Sequence, residues 1–316
     1  MKNKYTHFIC LILFLGSACQ QSEYKLEDAP QKAELFAEGF ISTSLYERDF
    51  AMSPDQTEII YTLGDYKQSQ RCLVSIQLEG DSWKEPQVLP FSGVHQDIEP
   101  FFSPEGNRLY FASNRPINSY SESNDYNIWF VDRLNDKWSE PQALDTLINT
   151  PGNEFYPAVT SSGNIYFTAT RKDGIGREDI FVSKFINGQY QRPVALDSAI
   201  NTLNYEFNAY VSPEEDLIVF SSFGREDDLG GGDLYVSYKD YEGNWKKAKH
   251  MGLRINSEKL DYCPFVDLEN NVLYFTSERI HENLERISSV KAMIDYANMV
   301  QNGLGNIFHI VFDPSK

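Results

Sequence analysis

One connector, written five times at nearly even spacing, restricts this chain more than any other feature. It consists of an apolar residue, Asn or Ser, a small residue, three variable positions and an acid. The copies run from Ile41-Ser42-Thr43 to Glu47, Phe91-Ser92-Gly93 to Asp97, Ile148-Asn149-Thr150 to Glu154, Ile200-Asn201-Thr202 to Glu206 and Ile255-Asn256-Ser257 to Asp261. Successive acids lie 50, 57, 52 and 55 residues apart. That period is near the length of one four-stranded propeller blade, a unit that buries its faces only by stacking on others of its kind.

Within each period the elements follow one order. A first strand comes after the acid, as in Pro100-Phe101-Phe102-Ser103-Pro104 and Ala209-Tyr210-Val211-Ser212-Pro213. Beyond a polar turn lies a second strand, seen in Leu109-Tyr110-Phe111-Ala112-Ser113, Ile165-Tyr166-Phe167-Thr168 and Leu273-Tyr274-Phe275-Thr276. Its β-branched and aromatic content suits a pleated, half-buried surface. The third strand opens with Asp or Asn, then an aliphatic and an aromatic: Asn127-Ile128-Trp129, Asp179-Ile180-Phe181, Asp233-Leu234-Tyr235 and Asn306-Ile307-Phe308. Blade 1 departs from this rule with Arg71-Cys72-Leu73. A fourth strand is expected from Trp83, Trp138, Tyr190 and Trp245, reaching proline at Pro86, Pro141 and Pro193 in the first three copies. Proline fits an outer strand, where its missing donor breaks no ladder.

These residues resemble the WD40-like propeller repeats of the TolB-like kind. The matching stretches are Ser103-Pro104-Glu105-Gly106, Ser113-Asn114-Arg115 and Asp233-Leu234-Tyr235-Val236, within a repeat region covering about residues 35 to 312. The resemblance implies an all-β chain folded as a single β-propeller. It implies little about chemistry, because one fold hosts many functions. Five connectors imply five blades of four antiparallel strands; a sixth would need a degenerate repeat. The repeats open on a connector that has no earlier blade and finish on a third strand, Ile307 to Phe312, that has no fourth. Both defects vanish if the segment from Leu35 to Phe40 supplies the outer strand of the last blade, which also removes an exposed edge.

Ahead of the repeats, Lys2 and Lys4 precede an apolar run from Phe8 to Leu15, then Gly16-Ser17-Ala18-Cys19. This is an export pattern. The junction resembles the bacterial lipobox, with Leu15 four rather than three residues before the cysteine, and the resemblance implies lipid attachment at Cys19. The chain then divides into a signal peptide over 1–18, a linker over 19–33 and a propeller over 34–316. A lipoprotein of the outer membrane, on its periplasmic or its cell-surface face, is the expected location. The formal net charge of −18 becomes two units more negative when Lys2 and Lys4 leave. So acidic a body repels phosphate backbones, which excludes nucleic acid as an expected partner. Cys10 leaves with the signal, and Cys72 and Cys263 fall in non-equivalent strands, so two separate buried thiols are expected rather than a bridge.

Two interruptions break the repeat. Between the second and third strands of the last blade, Leu284, Ile287, Met293, Ile294, Ala297 and Val300 recur at helical spacing, placing a helical insertion near 281–302 that either docks a partner or caps its own blade. The other is the loop from Pro116 to Tyr126, in which Tyr120 and Tyr126 are candidate contact residues.

The five acids, Glu47, Asp97, Glu154, Glu206 and Asp261, have two readings. As channel carboxylates they would divide acid and base roles on a glycan, which requires environments that push their pKa values apart. As connector caps they would accept buried backbone donors, and their identical frame in every blade favours this. Arg115, Arg171, Arg225 and Arg279 recur near the end of the second strand. Either they fork onto the acid opening the third strand, such as Asp179 or Asp233, or they form a ring for an anionic ligand. His95, His250, His281 and His309 share no frame, and neither H-E-x-x-H nor a cysteine pair is present, so no metal and no cofactor is expected. Asp227-Asp228-Leu229-Gly230-Gly231-Gly232-Asp233 reads as a glycine-rich turn before a calcium loop. With no G-x-S-x-G either, a peptidase is not expected. The expected function is therefore a membrane-anchored, non-catalytic binding or assembly scaffold of the bacterial envelope, with an envelope protein or polysaccharide as partner. The rival expectation is a carbohydrate-active or glycan-binding propeller that uses channel carboxylates.

Overall fold

The computed structural model describes residues 24–117, 125–135, 137–281 and 286–314. The export segment, Cys10, Cys19, Tyr120 and Leu284 lie outside them. Among the described residues five antiparallel sheets of four or five strands form the five blades of a propeller. The innermost strands are Tyr46–Met52, Asp97–Phe102, Glu154–Val159, Tyr205–Val211 and Asp261–Asp267. The second strands are Glu58–Gly64, Arg108–Ser113, Ile165–Ala169, Leu217–Phe223 and Val272–Ser277, and the third are Arg71–Glu79, Asn127–Leu134, Asp179–Ser183, Asp233–Tyr238 and Asn306–Val311. Blades 1 to 4 end in short outer strands, Gln87–Val88, Gln142–Ala143, Val194–Ala195 and Lys249–His250. Blade 5 takes its outer strand from the other end of the chain. Glu34–Leu35 pairs with Asn306–Val311, Glu34 opposite His309 and Leu35 opposite Phe308, as the sequence predicts.

The outer strands depart from expectation in one respect. Trp83 and Trp138 lie in a hairpin that folds back on the far end of the third strand, Trp83 opposite Leu78 and Trp138 opposite Arg133. The true outer strand starts only after the proline, with Val88 opposite Val74 and Ala143 opposite Trp129. Pro86 and Pro141 thus mark a break between two short pairings rather than a position within one strand, since a residue without an N–H cannot continue a ladder. In blade 3, Tyr190 likewise belongs to a separate hairpin with Phe185, and the outer strand follows Pro193.

Each blade buries its faces against its neighbours, and the apolar core is accordingly divided into interblade clusters. Ala51, Ile60, Leu73, Phe102, Leu109 and Phe111 fill the space between blades 1 and 2. Phe36, Phe50, Ile59, Val74, Tyr274 and Ile307 fill that between blades 5 and 1, where the ring closes. The connector asparagines seal the joints above these clusters. Asn149 accepts from Ile128 N and donates to Ile128 O and Leu144 O, which completes the ladder where the outer strand stops. Asn201 repeats this on Ile180 and Leu196, and Asn256 does so on Leu234.

Where the sequence implies a linker through residue 33, the segment from Tyr24 onward is docked. Tyr24 stacks on Phe40 at 4.3 Å, its carbonyl accepts Trp83 N, and Pro30 O accepts Val311 N. The helical insertion is shorter than its apolar spacing implies. Its helix is Val290–Ala297, capped by the Ser289 side chain on Ala292 N, and none of its residues is buried.

Candidate functional site

The five repeat acids are all buried at the joints between blades, where hydrogen bonds saturate them. Glu154 accepts Thr150 N at 3.0 Å and Thr150 Oγ1 at 2.6 Å, and Glu206 accepts the same pair from Thr202 at 2.7 and 2.8 Å. Thr43 serves Glu47, Ser257 serves Asp261, and in the blade where glycine replaces the hydroxyl residue, Ser92 Oγ serves Asp97. Burial pushes the carboxyls of Glu47, Glu154 and Asp261 above the usual range, against the hydrogen bonds that pull them back.

Four of these acids also take the repeat arginines. Arg115 pairs with Asp97 at 2.6 Å, Arg171 with Glu154 at 3.1 Å, Arg225 with Glu206 at 3.0 Å and Arg279 with Asp261 at 3.0 Å. Each guanidinium also donates to the carbonyl of the connector's apolar residue, Phe91, Ile148, Ile200 or Ile255. This corrects the expectation that they reach the acid of the third strand. Asp179 instead accepts Ile175 N and Gly176 N, and Asp233 accepts Leu229 N, each capping the loop that precedes it. The inner-strand acid is the nearer partner because it sits opposite the end of the second strand, as Glu206 does opposite Ser222 and Asp97 opposite Ser113. Blade 1 has no such arginine, and Asn306 of blade 5 donates to Glu47 at 2.8 Å in its place.

The side chains that face the axis stand one and two places after each acid. Every inner strand carries a bulge there, between Arg48 and Ala51, Ile98 and Phe101, Phe155 and Ala158, Phe207 and Tyr210, and Tyr262 and Phe265. The bulged residues Asp49, Glu99, Tyr156, Asn208 and Cys263 all have φ between +50° and +60°. Such backbone is costly for a residue with a Cβ and persists only where the surroundings over-determine it. The surroundings here are threonines one blade back. Asp49 N donates to Thr276 Oγ1, Glu99 N to Thr62 Oγ1 and Asn208 N to Thr168 Oγ1. Blade 2 has Ala112 at that place, and Tyr156 N donates to Glu99 Oε2 at 2.8 Å instead.

These five residues are at most 6 % exposed, so their layer closes the channel. At its centre Arg48 bonds both oxygens of Asp49 at 2.9 Å, Glu99 Oε1 at 3.1 Å and Cys263 Sγ at 3.5 Å, and lies over the Tyr262 ring. Asn208 Nδ2 adds a bond to Glu99 Oε1 at 3.3 Å. Burial, and after it the Asp49 carboxylate, pushes the Glu99 carboxyl up to about 7, opposed by Arg48 and Tyr156 N–H. Burial disfavours charge on Arg48, but Asp49 and its neighbours outweigh that and hold it cationic. Burial also drives the Cys263 thiol well above its ordinary range, so it is no ready nucleophile.

Above this closed layer lies a blind cup of about 260 Å³. Arg48, Ile98, Phe155, Phe207 and Tyr262, the residue after the acid in all five blades, line it, which places it on the ring axis. Glu99 and Asn208 contribute from the layer below, and Arg71, Tyr126, Thr168, Glu178 and Leu260 complete the wall. Tyr126 packs its ring on Phe155 at 5.1 Å and donates to Gln96. None of the five repeat acids and none of the four repeat arginines lines the cup. The opposite mouth, about 230 Å³, is apolar, walled by Phe101, Tyr210 and Phe265 and by turn prolines Pro54, Pro104 and Pro213.

Of the sequence candidates, then, Tyr126 reaches the cup, whereas the repeat acids hold the ring together. The layer beneath the cup has no repeating chemistry to mark it in the sequence, since Asp49, Glu99, Tyr156, Asn208 and Cys263 share a frame but no side-chain type. One signal was present: proline follows the bulged residue in Glu99-Pro100, Tyr156-Pro157 and Cys263-Pro264. A proline inside an inner strand needs a place where no ladder donor is required, and a bulge supplies one. Elsewhere, the acids of the 227–233 loop are taken up locally, Asp228 by Gly224 N and Gly230 N and Asp227 by Tyr235 OH. Both thiols are free, with Cys263 buried as expected and Cys72 only half-buried. Cys72, and not Arg71 as the sequence implies, stands where the other third strands carry Asn or Asp, opposite Leu63, so the blade 1 strand begins one residue earlier than its counterparts.

No family model and no curated protein matches this sequence. Among solved structures it is similar to a putative TolB from Agrobacterium tumefaciens, at 16 % identity and TM-score 0.47 over 73 % of this chain and 69 % of that one. It is similar also to an α-L-arabinofuranosidase from Podospora anserina, at 11 % identity and TM-score 0.47 over 92 % and 96 %. The protein BT0996, solved as an RGII complex, aligns at TM-score 0.54 and 9 % identity over 90 % and 91 %. At these identities the likeness is one of fold, a β-propeller.

Proposed function

We propose that this protein is a non-catalytic recognition module of the bacterial envelope, tethered to the outer membrane through lipid on Cys19, and that its ligand seats in the axial cup. The observation that carries the reading is the contrast between two adjacent frames of the same strands. The acid frame is chemically uniform and internally saturated. The next two frames vary from blade to blade, and the whole of the first with Glu99 and Asn208 of the second line one cavity, with an apolar and aromatic wall and a few fixed polar groups, the usual composition of a ligand site.

Binding without turnover fits the state of Glu99. Its Oε1 receives Arg48 and Asn208 and its Oε2 receives Tyr156 N–H, so the protein itself takes three of the four lone-pair sites and leaves one toward a substrate. A glycosidase reading has one observation in its favour, a carboxyl pushed up to about 7 beside a second acid, Asp49. Titration calorimetry of the mature chain against envelope saccharides, with product release followed in parallel, separates the two. Recognition predicts heat of binding that falls at least tenfold in Phe207→Ala and no product. Product formation that disappears in Glu99→Gln would replace this reading with the enzymatic one. A ligand whose binding is indifferent to Phe207 would remove the cup from consideration.

A further inference from the structure

Blade 1 breaks the repeat at one cup residue. The third strands of blades 2 to 5 open with Asn127, Asp179, Asp233 and Asn306, paired across the sheet with Ser113, Ala169, Ser222 and Ser277. Blade 1 has Cys72 at this place, opposite Leu63, and its third strand begins one residue earlier with Arg71, opposite Gly64. A side chain on Gly64 would meet Arg71 Cγ at 3.3 Å, so the glycine leaves the room in which Arg71 turns toward the cup. There its Nε donates to Gln96 Oε1 at 2.8 Å and its Nη2 to Tyr126 OH, with the guanidinium 5.4 Å from the centre of the Tyr126 ring.

Both acceptors are neutral. In a chain with 46 acids and 28 Lys and Arg, Arg71 forms no ion pair among the described residues, whereas the four repeat arginines and Arg48 each have one. A guanidinium has five N–H donors, and most of those on Arg71 are left without a protein acceptor. A half-buried cation, clamped by Gln96 and stacked on Tyr126 yet unpaired, is preorganised for an anion brought by the ligand, and its fork matches a carboxylate.

The rest of the cup says what carries that carboxylate. Phe155, Phe207 and Tyr126 offer ring surface, while Asn208, Thr168 and Glu178 offer neutral and acidic hydrogen-bonding groups. A flat apolar wall with scattered donors and acceptors suits a pyranose ring, whose C–H face stacks and whose hydroxyls take single bonds. We infer that the cup takes a uronic acid residue of an acidic polysaccharide, its carboxylate on Arg71, its ring against Phe155 and Phe207, and its hydroxyls on Asn208 and Glu178. This inference rests on the cup being the ligand site, and it adds the ligand's charge and class.

The test is titration calorimetry of the mature chain with trisaccharides of galacturonate, glucuronate and mannuronate, each beside its neutral counterpart and beside acetate. At least one uronide is expected to bind tenfold or more tightly than its neutral counterpart and to weaken with added salt. Arg71→Met should bring that uronide down to the level of the neutral sugar, and Arg71→Lys should restore part of the difference, with melting curves confirming that both variants fold. Acetate should compete only at far higher concentration. Equal binding of acidic and neutral sugars, a preference that survives in Arg71→Met, acetate as effective as the uronide, or no uronide binding at all would each overturn the inference. A neutral sugar bound in a Phe207-dependent way would leave the cup itself standing, whereas a uronide preference that ignores Phe207 would sink both.

Discussion

Arg225→Met tests whether the repeat arginines hold the ring together. Glu206 is fully buried and receives Thr202 N, Thr202 Oγ1, Ser222 Oγ, and the Nε and Nη2 of Arg225. Arg225, one-tenth exposed, also donates to Ile200 O at 2.5 Å and lies 4.5 Å from the centre of the Tyr235 ring. Methionine keeps much of the packing on Tyr235 but leaves a buried carboxylate without its cation and a buried carbonyl without its donor. Removing one partner of a buried pair costs about 3–5 kcal/mol. For a domain of this size each kcal/mol moves the melting temperature by about 2–4 °C, so a fall of roughly 6–20 °C is expected. The assay is urea unfolding followed by circular dichroism, with the slope checked for constancy. The double variant Arg225→Met with Glu206→Gln removes the orphaned charge while an amide oxygen still accepts from Thr202 and Ser222, and should recover at least half of the loss. Blade 1 is an internal control: Asn306→Ala deletes a neutral donor to Glu47, at a cost of about 1–3 kcal/mol. A single Arg225 variant within 1 kcal/mol of the parent, or a double variant no more stable than the single, would refute the clip.

Three further outcomes follow from buried groups. Glu99 is pushed up to about 7 in the fold, against an ordinary 4.5, so the native state holds the extra proton between those values. The parent should therefore lose stability as pH rises from 4.5 to 7, and Glu99→Gln should flatten that slope in urea midpoints. His309, opposite Glu34 where the ring closes, is 2 % exposed, and burial pushes its imidazole from 6.5 down to about 4. The fold needs the neutral ring, so stability should fall as pH drops from 6.5 toward 4, by at most about 3.5 kcal/mol at 1.4 kcal/mol per unit, and His309→Gln should remove that component. Phe36, fully buried and edge-on to Tyr274 at 5.0 Å and Phe50 at 5.7 Å, anchors the closing strand. Phe36→Ala should cost about 3–5 kcal/mol and speed proteolysis of the first residues of the propeller.

The sequence made the ring legible because its repeating requirements are satisfied by repeating residues. Connector asparagine, acid and arginine each meet a backbone need that recurs at every joint, so they recur with the period. Even the closing strand could be read, as the piece missing from one end and surplus at the other. The fourth strand was misplaced because Trp83 and Trp138 carry strand-like chemistry, while the outer pairing falls on Gln87–Val88 and Gln142–Ala143, two residues each with little to mark them. The cup was not legible for the opposite reason. A bulge is an instruction to the backbone, and Asp, Glu, Tyr, Asn and Cys all carry it out at φ near +55°, with a threonine or carboxylate one blade back holding the N–H of Asp49, Glu99, Tyr156 and Asn208.

That separation has a consequence for what such a ring can do. The groups that hold the joints sit in the acid frame and those that hold most bulges are second-strand threonines, so the next two positions carry little of that duty, Glu99 with its bond to Tyr156 N being an exception. A replacement there alters the floor or wall of one cavity and leaves the joints intact, provided the new side chain tolerates left-handed backbone at the second position. Arg71 shows the same freedom at a third place. Blade 1 has no repeat arginine, Asn306 donates to Glu47 in its place, and Arg71 brings a cation to the cup wall beside Tyr126 and Glu178. Glu47 keeps its hydrogen bonds without a cation, and burial pushes its carboxyl above the usual range. Arg71→Met should therefore cost only about 1–3 kcal/mol, the worth of two hydrogen bonds to neutral acceptors, because no joint uses this cation. A loss as large as that of Arg225→Met in urea unfolding would show that Arg71 holds a joint and is not free to serve the cup.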